Sequence, residues 1–217
     1  MPNTTTDSQK SFSGTEFVWT KPGHAGAHQY LMPATLKALE SVHAHTVLDL
    51  GCGNGSCTAE LRSHGYSAVG CDASFSGIAI AKNEHPSIDF FEYDIAQPLP
   101  SDRRKSFDSV IALEVIEHLL QPRRLLTAAF EALRPGGLVA ISTPYHGYLK
   151  NVALAVTNKF DFHWHPLRDF GHVKFFSQKT LTALVEECGF QIKSFHRLGR
   201  VPSLACSMMI VATKSTH

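Results

Sequence analysis

The chain is expected to fold as a doubly wound α/β domain with a mostly parallel sheet, and three observations predict it. Between residues 46 and 143, five short apolar runs alternate with amphipathic helical stretches, the pattern of a parallel sheet covered by helices. The first run ends in a turn with three glycines, and two further β-like runs close the chain in hairpin order. At 217 residues, with 43% hydrophobic and 18% charged side chains, one core with a modest elaboration fits the length.

The elements follow in order. Residues 1–15 are polar and rich in Thr and Ser, and are expected to form a flexible tail before a folded domain over 16–217. Apolar residues at helical spacing predict a leading helix from His28 to Val42, with Pro33 in its first turn or kinking it. Thr46–Leu50 is the first strand, GCGNG the turn, and Cys57–Ser63 a helix stopped by Gly65. Ala68–Cys71 is the second strand, closed by Asp72, and Ser74 or Ser76 caps a helix through Lys82. Ile88–Glu92, Phe107–Leu113 and Leu138–Ser142 are the next strands, with a helix over Pro122–Leu133 and RPGG as its stop. Residues 145–176 break the rhythm with a helix-like run, Leu149–Thr157, and an aromatic- and His-rich stretch, and are expected to insert as a cap over the sheet's C-terminal edge. Ser177 caps a helix through Cys188, and Phe190–Phe195 and Ser207–Thr213 are the closing strands.

Composition excludes several classes of function. Twenty Lys and Arg against 19 Asp and Glu leave a net charge of +1, which argues against nonspecific nucleic-acid binding. With neither a signal-peptide pattern nor a run of about 18 apolar residues, no membrane span is expected and the cytoplasm is the expected location. The five cysteines are odd in number and lack a CxxC pair, so reduced thiols are expected. Of 13 histidines, His118, His146, His163, His165 and His172 fall near Tyr145, Phe162 and Trp164.

VLDLGCGNGS (Val47–Ser56) carries the strongest signal. A turn leading from a strand straight into a helix needs residues without a Cβ where the backbone bends or approaches a ligand, and Gly51, Gly53 and Gly55 supply them. The pattern GxGxG with Ser56 disfavours a dinucleotide GxGxxG site, and no Lys-Ser/Thr follows to make a P-loop. Asp49, two residues before Gly51, suits a cationic or neutral ligand better than a phosphate. Asp72 ends the second strand, where a carboxylate accepts both hydroxyls of a ribose, and Asp94 ends the third, in reach of an adenine amine. Surface aspartates after strands are also ordinary turn residues.

VLDLGCGNGS, VGCDAS, FFEYDI, FDSVIALEVIEHL and RPGGLVAIST together resemble the successive motifs of class I S-adenosylmethionine-dependent methyltransferases, over about residues 46–143. The resemblance implies a seven-stranded, mostly parallel sheet with an antiparallel final hairpin. It implies S-adenosylmethionine as cofactor, with Gly51 and Gly53 by its methionine part, Asp72 at the ribose, Asp94 and Ile95 at the adenine and Leu113 at the amino group. Asn54 and Ala73, in the same two turns, join the expected cofactor residues, as does Asp49.

EVIEH (Glu114–His118) follows the fourth strand. If helical, Glu114, Glu117 and His118 share a face, fit either for acid–base work on a hydroxyl or, with His172 from the insert, for holding a divalent metal. Carboxylates in a first helical turn and a histidine satisfying a buried partner explain the same residues structurally. EVIEH resembles ubiquinone-pathway O-methyltransferases and also small-RNA 2′-O-methyltransferases that hold a metal with two glutamates and two histidines, although His172 lies in a different local sequence, GHVKFF. Glu114, Glu117, His118 and His172 are the expected catalytic residues, and Tyr145, His146 and Trp164 the expected acceptor pocket. Leading helices in the methyltransferase family often cover the cofactor, so Trp19, Lys21, His24, His28 and Tyr30 could reach the same pocket from the N-terminal side, although sequence alone does not place them.

The expected function is O-methylation of a small, phenol-like molecule, with no nucleic-acid partner. The alternatives are metal-dependent methylation of an RNA 3′-terminal ribose 2′-hydroxyl, and a non-catalytic S-adenosylmethionine-binding protein.

Overall fold

A computed structural model describes residues 17–23, 27–161, 167, 169–201 and 204–215. The expected tail at 1–15 lies outside them. The described elements run α1 (His28–Glu40), β1 (Thr46–Leu50), α2 (Ser56–Ser63), β2 (Ser67–Asp72), α3 (Phe75–Glu84), β3 (Phe90–Glu92), β4 (Phe107–Leu113), α4 (Pro122–Ala132), β5 (Leu133–Pro144), α5 (Tyr148–Val156), α6 (Gln178–Glu187), β6 (Phe190–Leu198) and β7 (Ser207–Lys214).

The strands form one seven-stranded sheet in the order β3-β2-β1-β4-β5-β7-β6. Pairing is parallel from β3 to β5 and antiparallel where β7 enters between β5 and β6. From β1 the chain winds outward to β3 on one side, then starts again at β4 on the other. Ligands of such sheets bind where the winding reverses, outside the strands' C-terminal ends, which here is between β1 and β4.

Strand alternation sorts the core into two faces. Leu48, Leu50, Val110, Ala112, Val139 and Ile141 pack with α4 and α6, while Val47, Ile111, Leu138 and Ala140 pack with α1 and Leu61 of α2. Of the two placements expected for Pro33, in the first turn of α1 or farther in where it would kink the helix, the structure has it farther in. The RPGG expected to stop a helix instead lies within β5, which begins at Leu133 opposite Phe107 and shifts register before Leu138 pairs with Ser109.

Ser74 caps α3 by accepting from Gly77 N, and Ser177 caps α6 in a reciprocal box with Thr180. All five cysteines are free thiols, and among the described residues no helix is long and apolar enough to cross a membrane.

Candidate active site

The glycine turn and the segment after β4 meet at the switch point. A Cβ on Gly51 would lie 2.5 Å from Val115 Cγ2, and one on Gly53 would lie 2.2 Å from Trp19 Cζ2. Both glycines have positive φ (90° and 53°), so side chains are excluded there by space and by backbone. The turn is fixed to the neighbouring strand by Gly51 N and Cys52 N, which donate to Cys71 O at 2.8 and 2.9 Å.

Trp19 belongs to an N-terminal strap that crosses this turn. Ser74 Oγ donates to Phe17 O (2.7 Å), Trp19 N to Ser76 Oγ (3.0 Å) and Gly23 N to Ser56 Oγ (3.1 Å). Asn54 is buried, and its amide donates to Lys21 O and Gly23 O, both at 2.9 Å. The side-chain donors of Asn54 thus hold the strap. Trp19 lies against the glycine turn at Gly53. His28 meets Glu60 (2.5 Å) and Cys57 Sγ (3.4 Å), and Tyr30 Oη accepts from Arg200 Nε at 3.3 Å. His24 lies outside the described residues.

Asp72 Oδ2 accepts from Gly53 N at 2.8 Å and Oδ1 from Ser74 N at 2.7 Å, so one carboxylate ties the first turn to the second. Exposed Ala73 stands between these contacts. Asp94, exposed, accepts from Ala96 N at 2.8 Å, and half-buried Ile95 packs against the core. Leu113 ends β4, half-buried on the face shared with α1.

Asp49 lies beneath the turn, 2% exposed, and accepts from Thr58 Oγ1 at 2.7 Å. Burial raises its pKa from 3.8 to about 7, with the Asp72 charge acting in the same direction. The folded chain therefore holds a proton that the unfolded chain has lost between about pH 4 and 7. Stability from this group is full below the unfolded value and is lost as pH rises through about 7. Asp49→Asn is expected to raise the urea midpoint at pH 8, by about 1–3 kcal/mol of unfolding free energy, and to flatten its fall between pH 5.5 and 8.

EVIEH is not helical as expected. Glu114 adopts φ 56°, Ile116–His118 form a single 3-10 turn, and Ile116 is buried in the core. Glu114 is thereby turned away from its expected partners. Its N donates to Ser142 Oγ at 3.0 Å, and that hydroxyl donates back to Glu114 Oε1 at 2.8 Å. Burial raises the Glu114 pKa to about 7, against hydrogen bonds from Ser142 and Ser207 and the charge of Lys150.

Glu117, His118 and His172 do converge, with one ligand atom from each lying within 4.8 Å of the others. Glu117 is 1% exposed; neither carboxylate oxygen meets full hydrogen-bond geometry among the described residues, although the Thr143 hydroxyl lies close enough to favour its charged form. Burial, reinforced by the charge of Glu114, pushes its pKa well up. His118 Nδ1 faces Phe170 O (3.0 Å) and Gly171 O (3.2 Å), which fixes the proton there and turns Nε2 toward Glu117 Oε1 at 4.0 Å. The His172 ring meets that of His118 edge-on at 4.9 Å. Val173 N and Lys174 N both donate to Glu117 O at 2.9 Å, bringing the far end of the insert to this turn.

Tyr145 is buried beside Arg197, and His146 packs edge-on against Phe175 at 5.2 Å. Trp164, with His163 and His165, lies outside the described residues. Sequence reasoning missed Ser142, Ser207 and Lys150; Ser207 lies on β7, and Lys150 reaches Ala205 O just before that strand.

Known proteins resemble this arrangement. A methyltransferase-domain family profile matches residues 24–194. Two curated relatives, ubiquinone biosynthesis O-methyltransferases of Dinoroseobacter shibae and a Bradyrhizobium species, are 30% identical over 149 residues and 34% identical over 151. Each match covers 67% of this chain but 59% and 58% of the relatives, so the chain spans about three-fifths of their length. The solved structure of a SAM-dependent methyltransferase from Methanosarcina mazei aligns with a TM-score of 0.61 at 25% identity, covering 79% of this chain and 93% of that one. The seven-stranded sheet with its reversed β7, the glycine turn at the switch point and these matches make the chain a member of the class I S-adenosylmethionine-dependent methyltransferases.

Proposed function

We propose that the chain binds S-adenosylmethionine across the C-terminal ends of β1, β2 and β3 and moves its methyl group to an oxygen of a small phenol- or catechol-like acceptor beside His118. The observation that carries this reading is the convergence of Glu117, His118 and His172 at the switch point, next to the glycine turn. The names of the two curated relatives support oxygen as the acceptor atom.

In this reading Asp72 receives the ribose, Asp94 and Ile95 border the adenine, and the backbone at Gly51, Gly53 and Leu113 receives the methionine part. The buried Asp49 gives the turn a carboxylate suited to a cation once it ionises. The sulfonium is already an activated donor, so the protein's contribution is proximity and orientation. His118 Nε2 takes the proton of the acceptor hydroxyl, and the oxygen's electron pair forms the new bond to the methyl carbon. The carbon–sulfur bond breaks, and its electrons remain on sulfur as the thioether S-adenosylhomocysteine.

The same three side chains fit a divalent cation, because a buried carboxylate beside an imidazole with a directed Nε2 and a second imidazole within reach is an O,N donor set. Glu117, His118 and His172 would hold such an ion, which would acidify an acceptor hydroxyl when bound. Glu114 stands outside this set.

Calorimetry with S-adenosylmethionine and S-adenosylhomocysteine, followed by a homocysteine-release assay on catechols, amines and a short RNA, tests the reading. One-to-one cofactor binding and turnover on catechols are expected. No binding of either compound would end the enzyme reading, and turnover only on RNA would replace the acceptor.

A further inference from the structure

Helix α5 is built in reverse. Its apolar residues Tyr148, Leu149, Val152 and Val156 are 81%, 61%, 41% and 81% exposed, whereas Lys150 is its one buried residue. A lysine is almost never so buried without partners, and Lys150 has two: its ammonium donates to Tyr145 O at 2.9 Å and to Ala205 O at 3.1 Å.

Those carbonyls mark the place where two strands part. The β5–β7 ladder ends at Pro144 opposite Ser207, with Tyr145 N donating to Cys206 O just beyond, at 3.0 Å. Past that pair one chain leaves for α5 and the other arrives from the segment before β7. Tyr145 and Ala205 are both buried, so their carbonyls need donors that the ladder no longer supplies. The Lys150 ammonium bridges them and so fastens the first turn of α5 to the ends of both strands. Its charge is opposed by Glu114, the carboxylate at the end of β4. At its other end, the insert is fastened by the bonds of Glu117 O and His118 Nδ1 to residues 170–174. Asn151 and Leu154 of α5 are half-buried and its other side chains more exposed, so Lys150 is the most deeply buried tie at the near end of the cap.

We propose that Lys150 is a positioning residue that seats α5 over the acceptor side of the site, a role that rests on the methyltransferase reading above. It touches neither cofactor nor reacting atoms. It holds the wall against which an acceptor is oriented.

Hydrogen exchange on the full chain tests this directly. Lys150→Met keeps an unbranched apolar stem but loses both donors. Exchange at the α5 amides of residues 151–157 is expected to speed up at least about tenfold, with β1 and β2 unchanged. Lys150→Arg keeps a cation with a different reach and should fall between wild type and Lys150→Met; it also serves as the test if the methionine variant does not fold. With 3,4-dihydroxybenzoate as the probe acceptor, KM should rise about fivefold or more, with kcat within about threefold and S-adenosylmethionine affinity unchanged. Unchanged α5 exchange in both variants overturns the proposal, as does cofactor affinity falling in step with acceptor KM. If wild-type protein binds cofactor but does not methylate the probe, the oxygen-acceptor reading fails while the exchange result still decides the role of Lys150.

Discussion

Replacing His118 with alanine lowers turnover about 10²–10⁴-fold and leaves S-adenosylmethionine affinity within about twofold. The imidazole lies past the end of β4, its Nδ1 held by the carbonyls of Phe170 and Gly171, whereas the turns tied by Asp72 lie at β1 and β2. Removing it takes away the proposed proton acceptor without touching the turns after β1 and β2. The insert stays fastened through Val173 N and Lys174 N on Glu117 O, so the loss is chemical rather than architectural. The same residue bears on the cation site. A divalent ion that binds the folded state should raise the thermal midpoint of wild type by a few degrees, and this rise should vanish in His118→Ala and Glu117→Gln. Equal losses of cofactor affinity and turnover in His118→Ala would falsify the division of roles.

Asp72→Ala acts in the opposite place and on two quantities together. The variant removes the proposed ribose acceptor and also leaves Gly53 N and Ser74 N without the carboxylate that now accepts from both. Hydrogen bonds to a charged group are worth about 1.5–3 kcal/mol each, less where water screens them, and Asp72 is half-buried, so a stability loss of about 2–4 kcal/mol and a cofactor affinity loss of at least about 100-fold are expected. Urea unfolding and calorimetric titration read the two effects. Asp72→Asn refines the test: an amide can still accept from Ser74 N but turns a donor toward Gly53 N, so stability should recover further than affinity. Affinity retained in both variants removes Asp72 from the cofactor site.

Much of this was legible in the sequence, because local patterns determine it. Apolar runs ending in Gly or Asp locate β1 to β3, and glycines at the first turn announce a close approach of other atoms. Their neighbours could not be read, since Trp19 reaches Gly53 through a strap held by hydrogen bonds to Asn54, Ser56, Ser74 and Ser76. The geometry of EVIEH was hidden for a different reason. Its spacing suits a helical face, but Ile116 is drawn into the core and Glu114 is left in a left-handed conformation, which splits the two glutamates between two networks. Lys150 was hidden because periodicity assumes that the apolar side of a helix turns inward, and α5 does the reverse.

The insertion of β7 between β5 and β6 sets the order in which the molecule can be completed. Strands β1 to β5 and the cofactor turns lie within residues 46–144, and their parallel pairings need nothing from later in the chain. The outer edge of β5 has no partner until Ser207–Lys214 arrives, and an open edge flanked by Val139 and Ile141 is an adhesive surface in a nascent chain. Ser207 beside Glu114 and Ala205 under Lys150 come from that same late segment. During synthesis, then, the half of the site that receives the nucleoside can form first, and the wall that faces the acceptor closes only with the last strand.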